Sequence, residues 1–182
     1  MVVERRYLTD GELCKKWVGV LSKATAFSTL IYSCVGKDWY YYDDGDKSKG
    51  IWEFCVNIKS GSATLDKTCY TIQDPDDLLI FLRATMVISV LATFMALCSA
   101  LQGVCCHEEF EGGKNLVLLF KALTTIMGAI GCILFLVNMP ADSETGAAQI
   151  TAWVGVLISL INTSIAFFKC YKANTQDRYN RI

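Results

Sequence analysis

The sequence predicts an all-α membrane protein: a four-helix bundle with a small antiparallel β-sheet on its extracellular side. Three observations lead there. First, 53% of the 182 residues are apolar and only 19% are charged, against about 25% charged in an ordinary soluble domain. The mean hydropathy is +0.34. Second, four separate stretches each supply the roughly 20 mostly apolar residues that cross about 30 Å of hydrocarbon. They are too long and too uniformly apolar for barrel strands, so helices are the remaining way to satisfy the backbone in lipid. Third, only one polar segment between spans, residues 36–77, is large enough to fold by itself. A net charge of -1 argues against a nucleic-acid partner, which would demand a basic face. The two prolines and the lack of a low-complexity run exclude fibrous and linker classes.

In chain order, residues 1–16 form a polar tail carrying Arg5, Arg6, Lys15 and Lys16. The first span, 17–35, is charged only at Lys23. No small-residue cleavage site accompanies it, so an uncleaved anchor is expected. The second span, 78–104, carries Arg83. The third, 116–137, carries Lys121, and the fourth, 150–168, has no charge. The final segment, 169–182, holds Lys169, Lys172, Arg178 and Arg181. By the positive-inside rule both tails and the link 105–115 belong in the cytoplasm. The link is acidic, with Glu108, Glu109 and Glu111 against Lys114, but acids contribute little to orientation. Loops 36–77 and 138–149 are then extracellular, and the expected location is the plasma membrane. Lys23 and Lys121 sit near the cytoplasmic ends of their spans, where a lysine stem can snorkel to the interface. Arg83 lies near the outer end of its span, where it could brace loop carbonyls.

Within 36–77 the aromatic run Trp39-Tyr40-Tyr41-Tyr42 suits a strand. The following Asp43-Asp44-Gly45-Asp46 contains an Asp-Gly hairpin signal. Next comes an alternating run that places Trp52, Phe54, Val56 and Ile58 on one face. A further strand over 63–72 completes a sheet of three or four strands. Cys55 and Cys69 are the only cysteines well inside the loop, and an oxidising exterior favours their pairing. Closing that fifteen-residue ring contributes about 3 kcal/mol in the chain-entropy picture. A domain this small needs such a staple. Asp43, Asp44 and Asp46 do not fit an EF-hand, since Gly45 as the loop glycine would make Tyr40 the first ligand. No metal and no cofactor are expected. The three acids read either as a solvated turn or as a cation-attracting surface.

Trp39, then Gly50-Ile51-Trp52, then Cys55 and Cys69, resembles the signature of the claudin and peripheral myelin protein superfamily. Leu82-Arg83-Ala84 is similar to the start of the claudin second span. The resemblance implies the claudin-like fold described above and a bracing role for Arg83. It also implies a plasma-membrane adhesion or paracellular-barrier protein that assembles laterally with itself, and across cells, through its extracellular sheet. The same superfamily includes auxiliary gamma-type subunits that modulate ion channels and receptors, so a larger channel or receptor complex is the alternative partner. Departures exist. The Trp39–Gly50 interval looks short and the Cys55–Cys69 interval long. The second loop has no aromatic residue, where claudins use residues that pair across cells. The ending Tyr179-Asn180-Arg181-Ile182 lacks a scaffold-binding Tyr-Val.

Cys105, Cys106 and Cys170 flank the inner ends of the spans and are candidates for palmitoylation; Cys14 sits similarly. His107 beside them has no second ligand cluster, so zinc is not expected. Ala92, Ala96 and Ala100 form a small-residue ridge on the second span, with Gly128 and Cys132 on the third, suited to close helix packing within the bundle. No nucleophile–base arrangement and no phosphate loop is present, so the chain does not read as an enzyme. Membrane lipid is its surrounding partner.

Overall fold

A computed structural model describes residues 10–43, 45–60, 63–105 and 113–179. Asp44, Cys106, His107 and residues 180–182 lie outside them. The helices are α1 (Asp10–Val35), α2 (Asp77–Cys105), α3 (Gly113–Val137) and α4 (Ala147–Tyr179). Each contains a segment long and apolar enough to cross a membrane: Leu13–Val35, Asp77–Val104, Leu116–Val137 and Ala147–Lys172. The helices form a ring: α1 packs on α2 and α4, and α3 packs on the same two neighbours.

Two helices exceed the spans expected from hydropathy. α1 starts at Asp10 rather than at residue 17, and α4 runs from Ala147 to Tyr179 rather than over 150–168. Hydropathy marks the lipid-facing part. The helix itself continues through Glu, Lys, Ala and Gln, which are good helix formers, until something stops it. Lys16 at the start of α1 donates from Nζ to Gly103 O on α2 at 3.0 Å, tying those two helix ends together.

The core runs along the bundle through Leu30, Met86, Cys132, Ala152 and Val156. Small residues let the axes approach, as membrane helices require in the absence of a hydrophobic drive between them. Ala92 and Ala96 are buried. A Cβ added at Gly128 would meet Val156 Cγ2 at 2.8 Å and Ser89 Oγ at 3.0 Å. That ridge is therefore consumed by packing within the chain. Hydroxyls stitch the helices together: Ser89 Oγ donates to Thr124 O at 3.1 Å, and the Ser33–Thr151 and Thr125–Thr163 hydroxyls meet at 3.0 and 3.2 Å.

The sheet has five strands, one more than the three or four expected. They are β1 (Tyr40–Tyr42), β2 (Lys47–Lys49), β3 (Glu53–Ser60), β4 (Ala63–Thr71) and β5 (Glu144–Thr145), in the order β4-β3-β2-β1-β5. Every pairing is antiparallel. The additional strand comes from the α3–α4 loop: Tyr40 pairs with Thr145 and Tyr41 with Glu144. It is two exposed residues long and has no apolar alternation to announce it. Trp52 also departs from expectation. It lies in a bend before β3 rather than on the strand face with Phe54, because its indole nitrogen is held by the end of α1.

Candidate functional site

The sheet is docked on the bundle through the residues of the first-loop motif. Trp39 is fully buried. Its Nε1 donates to Ser33 O of α1 at 2.7 Å, its ring lies 4.5 Å from that of Phe135 on α3, and its carbonyl accepts from Gly146 N at 2.8 Å. One residue thus joins α1, α3 and the second loop. A buried indole needs a partner for its N–H, and the last turn of a helix offers unsatisfied carbonyls. The same logic fixes Trp52, whose Nε1 donates to Cys34 O at 2.6 Å.

Arg83 sits one and a half turns into α2. Its Nε donates to Ile51 O at 2.8 Å, and its guanidinium lies 4.8 Å from the Trp52 ring centroid, a cation–π distance. Ile51 is fully buried. Gly50 allows the loop to cross the end of α1: a Cβ there would collide with Gly36 O and come within 2.9 Å of Lys37 Cα. Gly146 is equally constrained, since its Cβ would collide with Asp38 O. Lys37 Nζ lies 2.8 Å from Glu53 Oε2 beside this crossing, an ion pair held by charge rather than by a well-directed hydrogen bond. Cys55 and Cys69 are directly opposite each other in the β3–β4 ladder and form a disulfide.

At the β1–β2 turn, Gly45 and Asp43 both take positive φ, 83° and 59°, the backbone that such a turn requires and that Gly and Asp tolerate. Asp46 N donates to Asp43 O at 3.0 Å, and Asn57 N on β3 donates to Asp46 O at 2.8 Å. Asp43 carboxylate lies 2.9 Å from Lys47 Nζ and raises that ammonium's pKa, chiefly through the hydrogen bond. Of the three acids read as a solvated turn or a cation-attracting surface, Asp43 is ion-paired, and Asp44 lies outside the described residues. Cys14 and Cys170 are exposed near the far end of the bundle; Cys105 ends α2.

Lys23 and Lys121 are half-buried. They border a small, partly open cavity of about 20 Å³ with Thr93, Thr124, Ser159 and Asn162. Their depth in the spans is readable from sequence, whereas their facing direction is not.

The sequence matches the PMP-22/EMP/MP20/Claudin family over residues 17–166. The chain belongs to this family. The match takes in all four membrane-crossing segments up to residue 166, the whole sheet and the motif that docks it. Among curated proteins no match to this family member is found.

Proposed function

We propose that this claudin-family protein works at the plasma membrane in cell–cell adhesion or as part of a paracellular barrier, by lateral assembly through its sheet. On this reading it crosses the bilayer four times with both termini cytoplasmic and the disulfide-bearing sheet outside. The lysine- and arginine-rich tails support that orientation, and so does the oxidised Cys55–Cys69 pair.

The observation that carries the reading is the outer strand of the sheet. β4 is nine residues long and, among the described residues, pairs on one side only, with β3. Long unpaired edges are templates for another strand, and monomeric proteins shorten or block them. Tyr70 on β4 and Ile58 on β3 are 60% and 50% exposed. An edge with apolar side chains beside it suits a neighbouring copy held in the same membrane plane. The work is done by surfaces, and no reaction is proposed.

The test is expression in an epithelial layer that lacks its own equivalents. Wild type raises transepithelial resistance or shifts the sodium-to-chloride dilution potential, and Tyr70→Asp reduces the change. If wild type alters neither, the barrier reading fails. The second reading is then an auxiliary subunit of a channel or receptor. It is favoured by the second loop, which has no aromatic residue and folds back into the sheet as β5, leaving little to reach a facing cell. Copurification of a large channel under mild detergent supports it.

A further inference from the structure

A partly open cavity draws two residues from every helix: Lys23 and Ala26 from α1, Thr93 and Ala96 from α2, Lys121 and Thr124 from α3, Ser159 and Asn162 from α4. Two lysines therefore border one space in the bundle. Lys169 on α4 is a third positive charge acting on both. No carboxylate answers them within the spans. The acids on the four helices are Asp10, Glu12, Asp77 and Asp177, all at helix ends. Lys23 Nζ donates to Gly19 O of its own helix at 3.0 Å, which leaves two of its three donors available. The Lys121 ammonium makes no hydrogen bond and no ion pair with another described residue.

Half-buried like charges with no counter-charge among the described residues are costly, and proteins pair such charges or bind an ion. Of the rest of the lining, the Ser159 hydroxyl and the Asn162 amide can donate to an anion, whereas the Thr93 and Thr124 hydroxyls already donate to Ser89 O and Phe120 O; no carboxylate is there to repel it. Size then selects the anion. A space of about 20 Å³ exceeds the 10–15 Å³ that one water-sized species needs.

We propose that the cavity is a structural halide site, in which one chloride ion bridges Lys23 of α1 and Lys121 of α3 and locks the four helices together. The ion joins helices that are not neighbours in the ring, since α1 and α3 each pack on α2 and α4. It also removes the repulsion that otherwise pushes them apart.

The test uses the full chain purified in detergent. Crystals grown in sodium bromide should show one bromine anomalous peak among Lys23, Lys121 and Thr124. The thermal midpoint should rise as chloride replaces gluconate. Lys121→Met should abolish the anomalous peak and raise the half-effective chloride concentration about ten-fold or more, the equivalent of one lost charge-assisted hydrogen bond. Lys172→Met, on the exposed end of α4, should change neither. Lys121→Arg keeps the charge and should keep the chloride response if Lys121→Met fails to fold. Three results overturn the proposal: a cavity in bromide crystals that holds only water, a lipid phosphate with no anomalous signal, or a half-effective chloride concentration that Lys121→Met leaves unchanged.

Discussion

The two ends of the bundle are held by opposite means. At the sheet end, a few directional contacts each have a single donor and a single acceptor. Trp39 and Trp52 cap the last carbonyls of α1, Arg83 holds Ile51 O, and one disulfide closes β3 on β4. At the other end and through the middle, the contacts are many, weak and interchangeable: small residues at close approach, paired hydroxyls, and lysines around a cavity. The difference follows from the solvent. The sheet is small and partly wet, so it cannot bury a core of its own and must be fastened to the helices. The helices already satisfy their backbone in lipid and need only to fit together. Damage at the sheet end should therefore be concentrated in single residues, and damage in the bundle should be spread out.

The largest expected effect is at Trp39. Trp39→Ala removes a fully buried indole and its hydrogen bond to Ser33 O, a cost of about 3–5 kcal/mol for a large-to-small core change. Hydrogen exchange should then show protection lost first in β1, β2 and β5 while α2 and α3 stay protected. Uniform loss across the helices would break the comparison. Next is the disulfide. Cys55→Ser combined with Cys69→Ser should lower stability by about 3 kcal/mol. The single Cys55→Ser variant should fail to reach the cell surface, as measured by surface biotinylation. Normal surface levels would mean that the docking contacts alone hold the sheet.

Much of this asymmetry was legible in the sequence, for physical reasons that differ by residue. The helices are visible because lipid demands long uninterrupted apolar runs, and Cys55 and Cys69 because they stand alone in a polar loop. The spacing of Trp39, Gly50, Ile51 and Trp52 marks them as a motif. Their partners, however, are backbone carbonyls of Ser33 and Cys34, and every residue carries a carbonyl, so no pattern points to them. β5 was missed because Glu144 and Thr145 pair through backbone alone. The facing of Lys23 and Lys121 was missed because depth along a span is a count of residues, whereas direction depends on how four helices rotate against one another. An apolar surround satisfies lipid and bundle core alike.

A smaller effect is expected at Arg83. Arg83→Met leaves Ile51 O without its donor, and an unsatisfied buried carbonyl costs about 1–3 kcal/mol. Arg83→Lys should recover part of that, since an ammonium can donate to the carbonyl but does not stack on Trp52 as a planar guanidinium does. Equal losses for the two variants would assign the contribution to the Trp52 contact instead. SDS-driven unfolding in mixed micelles, with near-ultraviolet tryptophan signals as the probe, distinguishes the cases.

The smallest effect is expected in the bundle, at Thr163, and it tests the other half of the comparison. The Thr163 hydroxyl meets that of Thr125 across α3 and α4 at 3.2 Å. Each hydroxyl has a single proton, and each also has an acceptor on its own helix: Ser159 O at 2.8 Å for Thr163 and Lys121 O at 3.0 Å for Thr125. Each hydroxyl therefore keeps an intrahelical partner when the pair is broken, so neither is stranded. Interhelical hydrogen bonds in membranes contribute on average about 0.6 kcal/mol and reach about 1.7 kcal/mol. Thr163→Val preserves the branched shape and deletes only the hydroxyl, so the loss should sit near the lower figure in the same SDS-unfolding measurement. Thr125→Val should give a similar value, and the double variant little more than either single one, because both report a single contact. A loss above about 2 kcal/mol at Thr163 would show that the bundle, like the sheet end, depends on individual residues.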